Sequence, residues 1–508
     1  MLRYVASLGL SVIEPYLVGV EVDARRGLPG FDIVGLPDAS VKESRDRVRA
    51  AARNLGYPEI NAKVVANLAP ADTRKSGSVY DLPILLALIA AIGYEDISFE
   101  DTAVIGEIGL SGELRPLTGV LPMVLDARSL GISRVIVPAA NAAEAAAAQD
   151  IEVLAAFHAS EVISYFKGGH TLPGASSIPP KQVSMPDVPD LSDVRGQSEA
   201  KRALEVAAAG GHNLLLIGPP GAGKSMLAKR LPGILPDMTH AESIETTKVH
   251  SVAGLLTGGR PLITHRPFRS PHHTASAAAL IGGSSNPMPG DLSLSHNGVL
   301  FLDELPEFPK NTLEALRQPL EDGKVSISRV KQRVTYPADV MLVAAMNPCP
   351  CGFYGAQGKT CSCTGLSISR YLGRVSGPLL DRMDIQVEVQ PVEYGQISAK
   401  QGSERSAAIR ERVARAREIQ HRRYQNTGVS CNARLTPAML RDICEMESAA
   451  ASLLQSAFDR LGLSARGYDR ILKVARTIAD LDGAGLIASG HISQAIRFRS
   501  LDRKYWAG

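Results

Sequence analysis

Residues 213–225 read NLLLIGPPGAGKS, and this stretch decides the fold of the chain around it. Four apolar residues, 214–217, predict a buried strand, and the next eight match G-x-x-x-x-G-K-[ST] in full. The glycines let backbone N–H groups surround phosphate oxygens at the start of a helix. Lys224 would reach the β- and γ-phosphates of ATP, and the Ser225 hydroxyl would bind Mg²⁺. The predicted nucleotide-binding residues of the loop are Gly218, Pro219, Pro220, Gly221, Ala222, Gly223, Lys224, Ser225 and Met226.

Two acids at the end of a second apolar strand, GVLFLDE at 298–304, complete the pattern of a nucleotide hydrolase. Asp303 would hold Mg²⁺ through water, and Glu304 would polarise the attacking water as a general base. A third apolar strand, 340–346, ends at Asn347, whose amide could orient that water. One acid could belong to a solvated turn, but two acids after such a loop favour hydrolysis.

Arginines farther along the chain are candidates for contacts with the γ-phosphate. Arg382, in LLDRMD at 379–384, is predicted to act on the site of a neighbouring subunit; the alternative is a surface salt bridge. Arg470, at the start of a later helix, is predicted as a second γ-phosphate contact, with Arg466 as the competing choice.

Length and composition are those of an ordinary globular protein. The 508 residues allow roughly three domains, with 45% hydrophobic and 21% charged residues and a net charge of +3. This charge is too small to indicate a nucleic-acid partner by itself. We expect no membrane span, because no apolar run approaches about 20 residues, and no signal peptide at the N-terminus. Four of the six cysteines cluster, which favours metal binding in a reducing compartment, so a cytoplasmic location is expected.

Four regions follow from the patterning. Residues 1–166 predict an α+β domain, 167–192 a Pro/Gly-rich linker, 193–395 an α/β ATPase core, and 396–508 a C-terminal helical lid. Val194 and Gln197, just before the first core helix, are predicted to touch the adenine.

The cysteine cluster predicts a structural Zn²⁺ site. Its ligands would be Cys349, Cys351, Cys361 and Cys363. The C-x-C spacing is tighter than the usual C-x₂-C, and redox-active thiols are the alternative.

Three basic stretches could face DNA. Residues 325–336 alternate as a β-hairpin with Arg329, Lys331 and Arg333 near its turn, the predicted DNA contacts; a solvated hairpin is the alternative. The segment HRPFRSPHHT at 265–274 predicts a DNA-facing or subunit-facing insert, and metal binding by its adjacent histidines is disfavoured. The arginine-rich helix at 402–425 could contact DNA or simply be solvated.

The first domain resembles the Lon protease domain, a fold of the ribosomal S5 domain 2 type. The stretch GEIGLSGELRPLTG at 106–119 and GISRVIVP at 131–138 carry the resemblance. Peptidases of that family need a Ser–Lys dyad, whereas here Tyr80 and Met123 fall at the two positions. Because a thioether cannot accept a proton at neutral pH, we predict no peptidase activity.

The order of motifs along the whole chain resembles the magnesium-chelatase-like AAA+ ATPases, and more narrowly the ComM/YifB family. The resemblance implies a homo-hexameric, ATP-driven helicase that acts on single-stranded and branched DNA. The resemblance further implies that this helicase promotes branch migration during natural transformation and homologous recombination, with recombination proteins as further partners. Lys331 falls where the related replicative MCM helicases carry a DNA-contacting lysine.

Two other functions are compatible with the same ATPase core. The first is the ATPase subunit of a magnesium-chelatase-type complex that inserts Mg²⁺ into a tetrapyrrole. The front domain, the cysteine cluster and the basic hairpin argue against it. The second is a nucleotide-gated scaffold without catalysis, which the intact acids and Asn347 disfavour.

Overall fold

The computed structural model divides into two compact units. The first comprises residues 1–185 and 240–263, and the second comprises residues 186–239 and 264–508. The structure describes residues 2–25, 27–94, 97–180, 188–256, 262–283, 288–329, 332–356, 359–392 and 404–506.

Both units contain strands and helices. The strands are β1 (Leu2–Ser11), β2 (Glu14–Arg25), β3 (Gly30–Val34), β4 (Lys63–Ala69), β5 (Thr102–Val104), β6 (Glu107–Ile108), β7 (Leu114–Arg115), β8 (Arg134–Pro138), β9 (Glu152–Ala156), β10 (Leu214–Ile217), β11 (Phe268–Arg269), β12 (Val299–Leu302), β13 (Lys324–Arg329), β14 (Gln332–Pro337), β15 (Met341–Met346) and β16 (Ile385–Glu388). The helices are α1 (Ala39–Asn54), α2 (Asp81–Ile92), α3 (Val120–Leu125), α4 (Ala142–Ala145), α5 (Ala159–Phe166), α6 (Ser198–Gly210), α7 (Lys224–Arg230), α8 (His240–Val252), α9 (Ala277–Ile281), α10 (Asp291–Leu294), α11 (Lys310–Ala315), α12 (Arg317–Asp322), α13 (Gly365–Leu372), α14 (Gly377–Leu380), α15 (Ser406–Arg423), α16 (Pro437–Ile443), α17 (Ser448–Leu461), α18 (Ala465–Leu481), α19 (Ser489–Arg497) and α20 (Leu501–Trp506). Short 3-10 helices cover Ala127–Leu130, Ala139–Asn141, Ala175–Ser177, Leu191–Asp193, Leu231–Ile234, Leu305–Glu307 and Asn432–Arg434.

The first unit is built on a seven-stranded mixed sheet with the strand order β3-β4-β2-β1-β5-β8-β9. The long strands β1 and β2 pair antiparallel in a hairpin, and β5, β8 and β9 run parallel. Helix α2 is apolar on all sides and buried along nearly its whole length, as expected for a central core helix. Helix α1 buries Val41 and Val48 and turns Arg45 to solvent, in agreement with its predicted amphipathic pattern.

Helix α8 belongs to the first unit, although its sequence follows the phosphate-binding loop. The Ser251 hydroxyl donates to Glu144 Oε2 at 2.6 Å, and Gly119 N donates to Ser251 O at 3.1 Å. Glu144 is buried and also accepts from Asn141 Nδ2 at 2.7 Å and from Leu121 N at 3.3 Å. The core predicted at 193–395 is therefore interrupted, since residues 240–263 fold with the first unit.

The first unit also extends into the stretch predicted to be a linker. Leu172 and Ala175 are buried in its core, and Gly174 forms a β-bridge with Leu154. Residues 172–177 are thus packed against the domain, because two apolar side chains among the prolines anchor them.

The second unit contains five parallel strands in the order β11-β12-β15-β10-β16. Strand β10 lies between β15 and β16, and Leu214 is in register with Val343 and Ile385. All four residues of β10 and of β12 are buried, as expected when helices cover both faces of a parallel sheet. Helices α6, α15, α18 and α19 share one core with this sheet, so the predicted ATPase core and lid form a single compact unit.

Within the described residues, no helix has the length and apolarity needed to cross a membrane.

Candidate nucleotide and DNA site

The phosphate-binding loop joins β10 to α7, the strand-loop-helix arrangement that the motif predicts. Gly221 and Gly223 have φ values of +77° and +92°, a region that favours glycine. A Cβ on Gly218 would lie 2.2 Å from Val389 O, so only glycine lets the loop leave the sheet at this point. The backbone around the loop therefore accounts for the three glycines.

Lys224 occupies the centre of the site and is buried. Its ammonium donates to Gly218 O at 2.7 Å, Pro219 O at 3.0 Å and Asn347 Oδ1 at 3.0 Å. Burial lowers the pKa of Lys224, and the nearby carboxylates of Asp303 and Glu304 oppose that shift. The structure thus brings together Lys224 and Asn347, two predicted residues that are 123 positions apart in sequence.

The Mg²⁺ ligands predicted from sequence are adjacent. Ser225 Oγ donates to Asp303 Oδ2 at 2.5 Å, and Glu304 N donates to Asp303 Oδ1 at 2.9 Å. A hydroxyl and a carboxylate are the hard oxygen ligands that Mg²⁺ prefers beside nucleotide phosphates. This donor set fits the ion.

Glu304 has a partner that the sequence did not predict. Its Oε2 lies 3.2 Å from His273 Nδ1, and Glu304 itself adopts a left-handed backbone conformation with φ +53°. Strand β11, which ends four residues before His273, pairs with β12, which ends two residues before Glu304. Two residues are too short for a strand to be recognised from alternation, and for this reason the sequence pattern did not connect His273 with Glu304.

Gln197, predicted to lie near the nucleotide base, contacts the phosphate-binding loop. Gln197 Nε2 donates to Ala222 O at 3.2 Å and to Gln390 O at 2.5 Å. Val194 is buried at the base of α6, and Met226 is half exposed on α7. Contact of Val194 and Gln197 with adenine, and of Met226 with the nucleotide, remains a prediction.

Arg382 and Arg470 lie at the opposite end of the sheet from the loop. Asn213 Nδ2 donates to Arg382 O at 2.9 Å, and Asn213 directly precedes β10. Arg470 Nη1 lies 3.4 Å from Asp381 Oδ1, and Arg470 Nε lies 3.7 Å from Asp384 Oδ1. Strand β10 separates this end from Gly218 by roughly 13 Å, so Arg470 lies away from the phosphate-binding loop of its own chain. Its contact with a γ-phosphate stays a prediction.

The competing arginine, Arg466, also faces this end, 3.8 Å from Asp381 Oδ2. Arg382 pairs with Glu321, and its Nε has no hydrogen-bond partner among the described residues. All three arginines thus lie away from the nucleotide site of their own chain.

Buried polar residues tie this end of the sheet together. His212 is fully buried. Its Nδ1 lies 3.2 Å from Asp384 Oδ2, and its Nε2 lies 2.8 Å from Thr477 Oγ1. Asp384 has a lowered pKa: burial opposes the shift, but the hydrogen bond and charge of His212 and the charge of Arg470 outweigh it. The lid helix α18 is thereby fixed to the strand that carries the loop.

The four clustered cysteines meet as predicted. Their Sγ atoms all lie within 4.8 Å of one another, for example 3.4 Å between Cys349 and Cys351 and 3.7 Å between Cys349 and Cys361. Zn–S bonds of about 2.3 Å in a tetrahedron require S–S distances close to these, so the donor set fits zinc. A Cβ on Gly352 would lie 2.4 Å from Pro220 Cδ, so the cysteine loop packs directly on the phosphate-binding loop.

The predicted basic hairpin is formed by β13 and β14, with Arg329 opposite Gln332. Lys331 lies outside the described residues, and for Arg329 and Arg333 only the strand positions are described. After β14 the chain passes through residues 338–340 directly into β15, which ends at Asn347.

Several arginines of α15 serve the fold instead of a solvated face. Arg412 Nε lies 2.6 Å from Glu205 Oε1, and Arg423 Nη2 lies 2.6 Å from Asp480 Oδ1. Arg422 is exposed and pairs with Glu418 one turn away. The charge run at 402–425 is therefore largely neutralised within the chain.

A parallel sheet with a phosphate-binding loop after β10, an acid pair after β12 two positions away in the sheet, and helices packed on it defines a P-loop ATPase of the AAA+ type. Three family models match: "Magnesium chelatase, subunit ChlI" at residues 190–397, "Subunit ChlI of Mg-chelatase" at 20–141, and "Magnesium chelatase, subunit ChlI C-terminal" at 403–499. The chain belongs to the ComM/YifB family of magnesium-chelatase-like ATPases.

Relatives support this assignment over nearly the full length. YifB of Escherichia coli is 45% identical over 96% of this chain and 94% of its own length. Competence protein ComM of Haemophilus influenzae is 43% identical over 98% of this chain and 97% of its own length. The magnesium-chelatase 67 kDa subunit of Chlorobaculum tepidum is 28% identical, but over only 31% of this chain and 23% of its own.

Proposed function

We propose that this protein is an ATP-driven DNA motor that migrates branches during the integration of incoming DNA. The observation that carries the proposal is the direct connection between the hairpin and the site. Strand β14 leads through three residues into β15, and Asn347 at the end of β15 accepts from Lys224. A change at the γ-phosphate that moves Asn347 would shift β15 and tilt the basic hairpin.

The name of the Haemophilus relative, a competence protein, supports a role in DNA uptake and recombination. Basic hairpin side chains contact phosphates without reading bases, so movement on DNA would be independent of sequence and weaken as salt rises.

The active form in this proposal is a homo-hexamer. Arg382 and Arg470 are separated from their own nucleotide site by the length of β10, which suits a role in the neighbouring site. In a closed ring each subunit would supply these arginines to the next.

Two structural proposals accompany the motor. Zinc held by the four cysteines would stabilise the cysteine loop, which packs against Pro220 of the phosphate-binding loop. The first unit would have the Lon-protease-like fold without peptidase activity: Tyr80 and Met123, at the two dyad positions, are both buried in the core. Burial strongly raises the pKa of the Tyr80 phenol, which removes it further from the role of a nucleophile.

A chelatase-type ATPase subunit is the second candidate function. The descriptions of the matching family models favour this function. One of these models matches residues 20–141, in the front domain, so the presence of this domain does not separate the two functions. Against it, the chelatase relative matches under a third of this chain.

The deciding experiment measures ATP turnover with single-stranded DNA, with a three-way junction, or with a porphyrin and Mg²⁺. The motor requires stimulation by DNA and strand displacement on the junction. Replacing Lys331 and Arg333 together with Ala should abolish both effects and leave basal turnover unchanged.

The matched control for the hairpin variant is Arg422→Ala, which removes an exposed arginine from α15. It should retain the coupling of ATP turnover to movement. Wild-type protein that binds no DNA at low salt with ATP present, or that responds only to porphyrin, would replace the motor by the chelatase function.

A further inference from the structure

Two residues directly before β10, His212 and Asn213, hold the segment that begins at Arg382. The backbone carbonyl of Asn213 accepts from Asp384 N at 3.0 Å and from Ile385 N at 3.1 Å. Its side-chain amide donates to Arg382 O at 2.9 Å. Because β10 leads directly into the phosphate-binding loop, this segment is attached to the start of the strand that carries the nucleotide site.

His212 also determines how the Asp384 carboxylate faces Arg470. His212 Nδ1 lies 3.2 Å from Asp384 Oδ2, and Arg470 Nε lies 3.7 Å from Asp384 Oδ1. One oxygen of the carboxylate thus faces the histidine, and the other faces the arginine. Only 10% of the Arg470 side chain and 12% of the Asp384 side chain are exposed, so water and salt screen this pair little. The orientation that His212 gives the carboxylate therefore acts on the guanidinium.

The two partners of the His212 ring fix it in place. A carboxylate only accepts, so Nδ1 carries a proton and donates to Asp384. The other nitrogen, Nε2, lies 2.8 Å from Thr477 Oγ1, a hydroxyl on α18 about two turns after Arg470. His212 is fully buried, so a ring that turned away would leave polar atoms without partners in the interior. The ring is thus held against both the segment at 382–385 and the helix that carries Arg470.

We propose that His212 is a positioning residue for Arg470: it orients the Asp384 carboxylate and, through it, the guanidinium offered to the neighbouring nucleotide site. The proposal rests on the homo-hexamer of the proposed function, in which Arg470 acts on the next subunit. It adds a link between sites, because the strand that ends at the phosphate-binding loop of one subunit begins beside the histidine that orients this arginine.

The test compares His212→Ala with Arg470→Ala in ATP turnover and in ATP binding. A displacement of a catalytic group by about 1 Å costs about 10²-fold in rate, so kcat of His212→Ala should fall by about that factor. Affinity for a fluorescent ATP analogue should stay unchanged, because the phosphate-binding loop of the same chain is intact. The double variant should lose little more than Arg470→Ala alone, since both changes act on one contact.

Two conservative variants separate the two ring nitrogens. The amide nitrogen of Asn lies close to the position of Nδ1, and that of Gln lies close to the position of Nε2. His212→Asn should therefore keep the donor to Asp384 and recover most of the turnover, whereas His212→Gln should not. Thr477→Val is the matched control: it removes the other hydrogen bond of the same buried ring, so it should lower thermal stability and leave kcat near wild type. If His212→Ala does not fold, the Asn and Gln variants decide.

Mixing of subunits shows in which nucleotide site the defect lies. His212→Ala subunits supply an intact phosphate-binding loop, and Lys224→Ala subunits supply a correctly held Arg470, so their mixture should regain turnover. A mixture of His212→Ala with Arg470→Ala should regain none, because neither kind of subunit offers a positioned arginine to its neighbour. A defect in the subunit's own site would give the opposite pattern.

Wild-type kcat in His212→Ala, the opposite mixing pattern, or equal turnover in the Asn and Gln variants would each overturn the proposal. Loss of turnover in Arg470→Ala together with normal turnover in His212→Ala would leave the shared nucleotide site standing and remove only the role of His212. If Arg470→Ala itself turns over ATP at the wild-type rate, the action of Arg470 on the next subunit fails, and the role of His212 fails with it.

Discussion

Replacing Ser251 with Ala should weaken the attachment of α8 to the rest of the first unit. Ser251 is buried, and its hydroxyl donates to Glu144 Oε2 at 2.6 Å. Losing this hydrogen bond leaves a buried carboxyl group short of one donor, at a cost of about 1–3 kcal/mol. Because 1.4 kcal/mol is a factor of ten, local opening of α8 should become roughly 5- to 150-fold more frequent.

Hydrogen–deuterium exchange of peptides covering 240–252 measures this opening directly. The control is Ser7→Ala in the same unit: Ser7 is fully buried, but its Oγ has no hydrogen-bond partner among the described residues. Exchange of 240–252 that is equal in the two variants would refute the reasoning that the contact with Glu144 fixes α8.

The same contact should depend on pH. Burial raises the pKa of Glu144 in the folded protein above its ordinary value, although hydrogen bonds from Ser251 and Asn141 oppose the shift. A raised folded pKa contributes stability at pH values below the unfolded pKa, and this stability is lost as pH rises through the folded pKa. Protection of α8, corrected for intrinsic exchange rates, should therefore fall as pH rises through that range, and Glu144→Gln should remove the dependence.

Other predictions concern the chemistry and the metal. Lys224→Ala should abolish nucleotide binding in a fluorescent-ATP titration, because the buried ammonium that faces the phosphates is lost; normal affinity would contradict this. Glu304→Gln should bind ATP but not turn it over, since the Mg²⁺ ligands remain while the base is lost; hydrolysis at the wild-type rate would refute the assignment. Arg382→Ala should bind ATP and lose about 10³-fold or more in turnover, with partial recovery on mixing with Lys224→Ala subunits. Purified protein should contain about one zinc per chain by elemental analysis, and Cys349→Ser should lower that content; metal-free protein with four titratable thiols would exclude the site.

Much of the nucleotide site is predictable from sequence because its parts are local. A strand, a glycine-rich loop and a helix N-terminus lie within residues 213–225, and the acids directly follow a recognisable apolar strand. Asn347 is predictable for the same reason. The sequence also predicts that the four cysteines meet, since short spacing leaves few alternatives.

Contacts between distant segments are not predictable in this way. The pairing of His273 with Glu304 depends on the two-residue strand β11, which has no sequence signature. The position of α8 depends on contacts with distant residues, among them a buried carboxyl group 107 residues earlier in the chain. The sequence does not indicate that Arg470 lies away from the nucleotide of its own chain, because the position of a helix in sequence says nothing about which end of the sheet it meets.

The strand that carries the phosphate-binding loop is completed late in synthesis. Asn213, at the start of β10, accepts from Leu342 N 129 residues later and donates to Arg382 O 169 residues later. Both neighbouring strands of β10 therefore leave the ribosome well after it, whereas α8 can join the first unit as soon as residue 263 has emerged. We expect the nascent chain to hold a folded first unit while β10 and its glycine-rich loop wait unpaired, so a chaperone that binds apolar strands would meet Leu214–Ile217 during this interval.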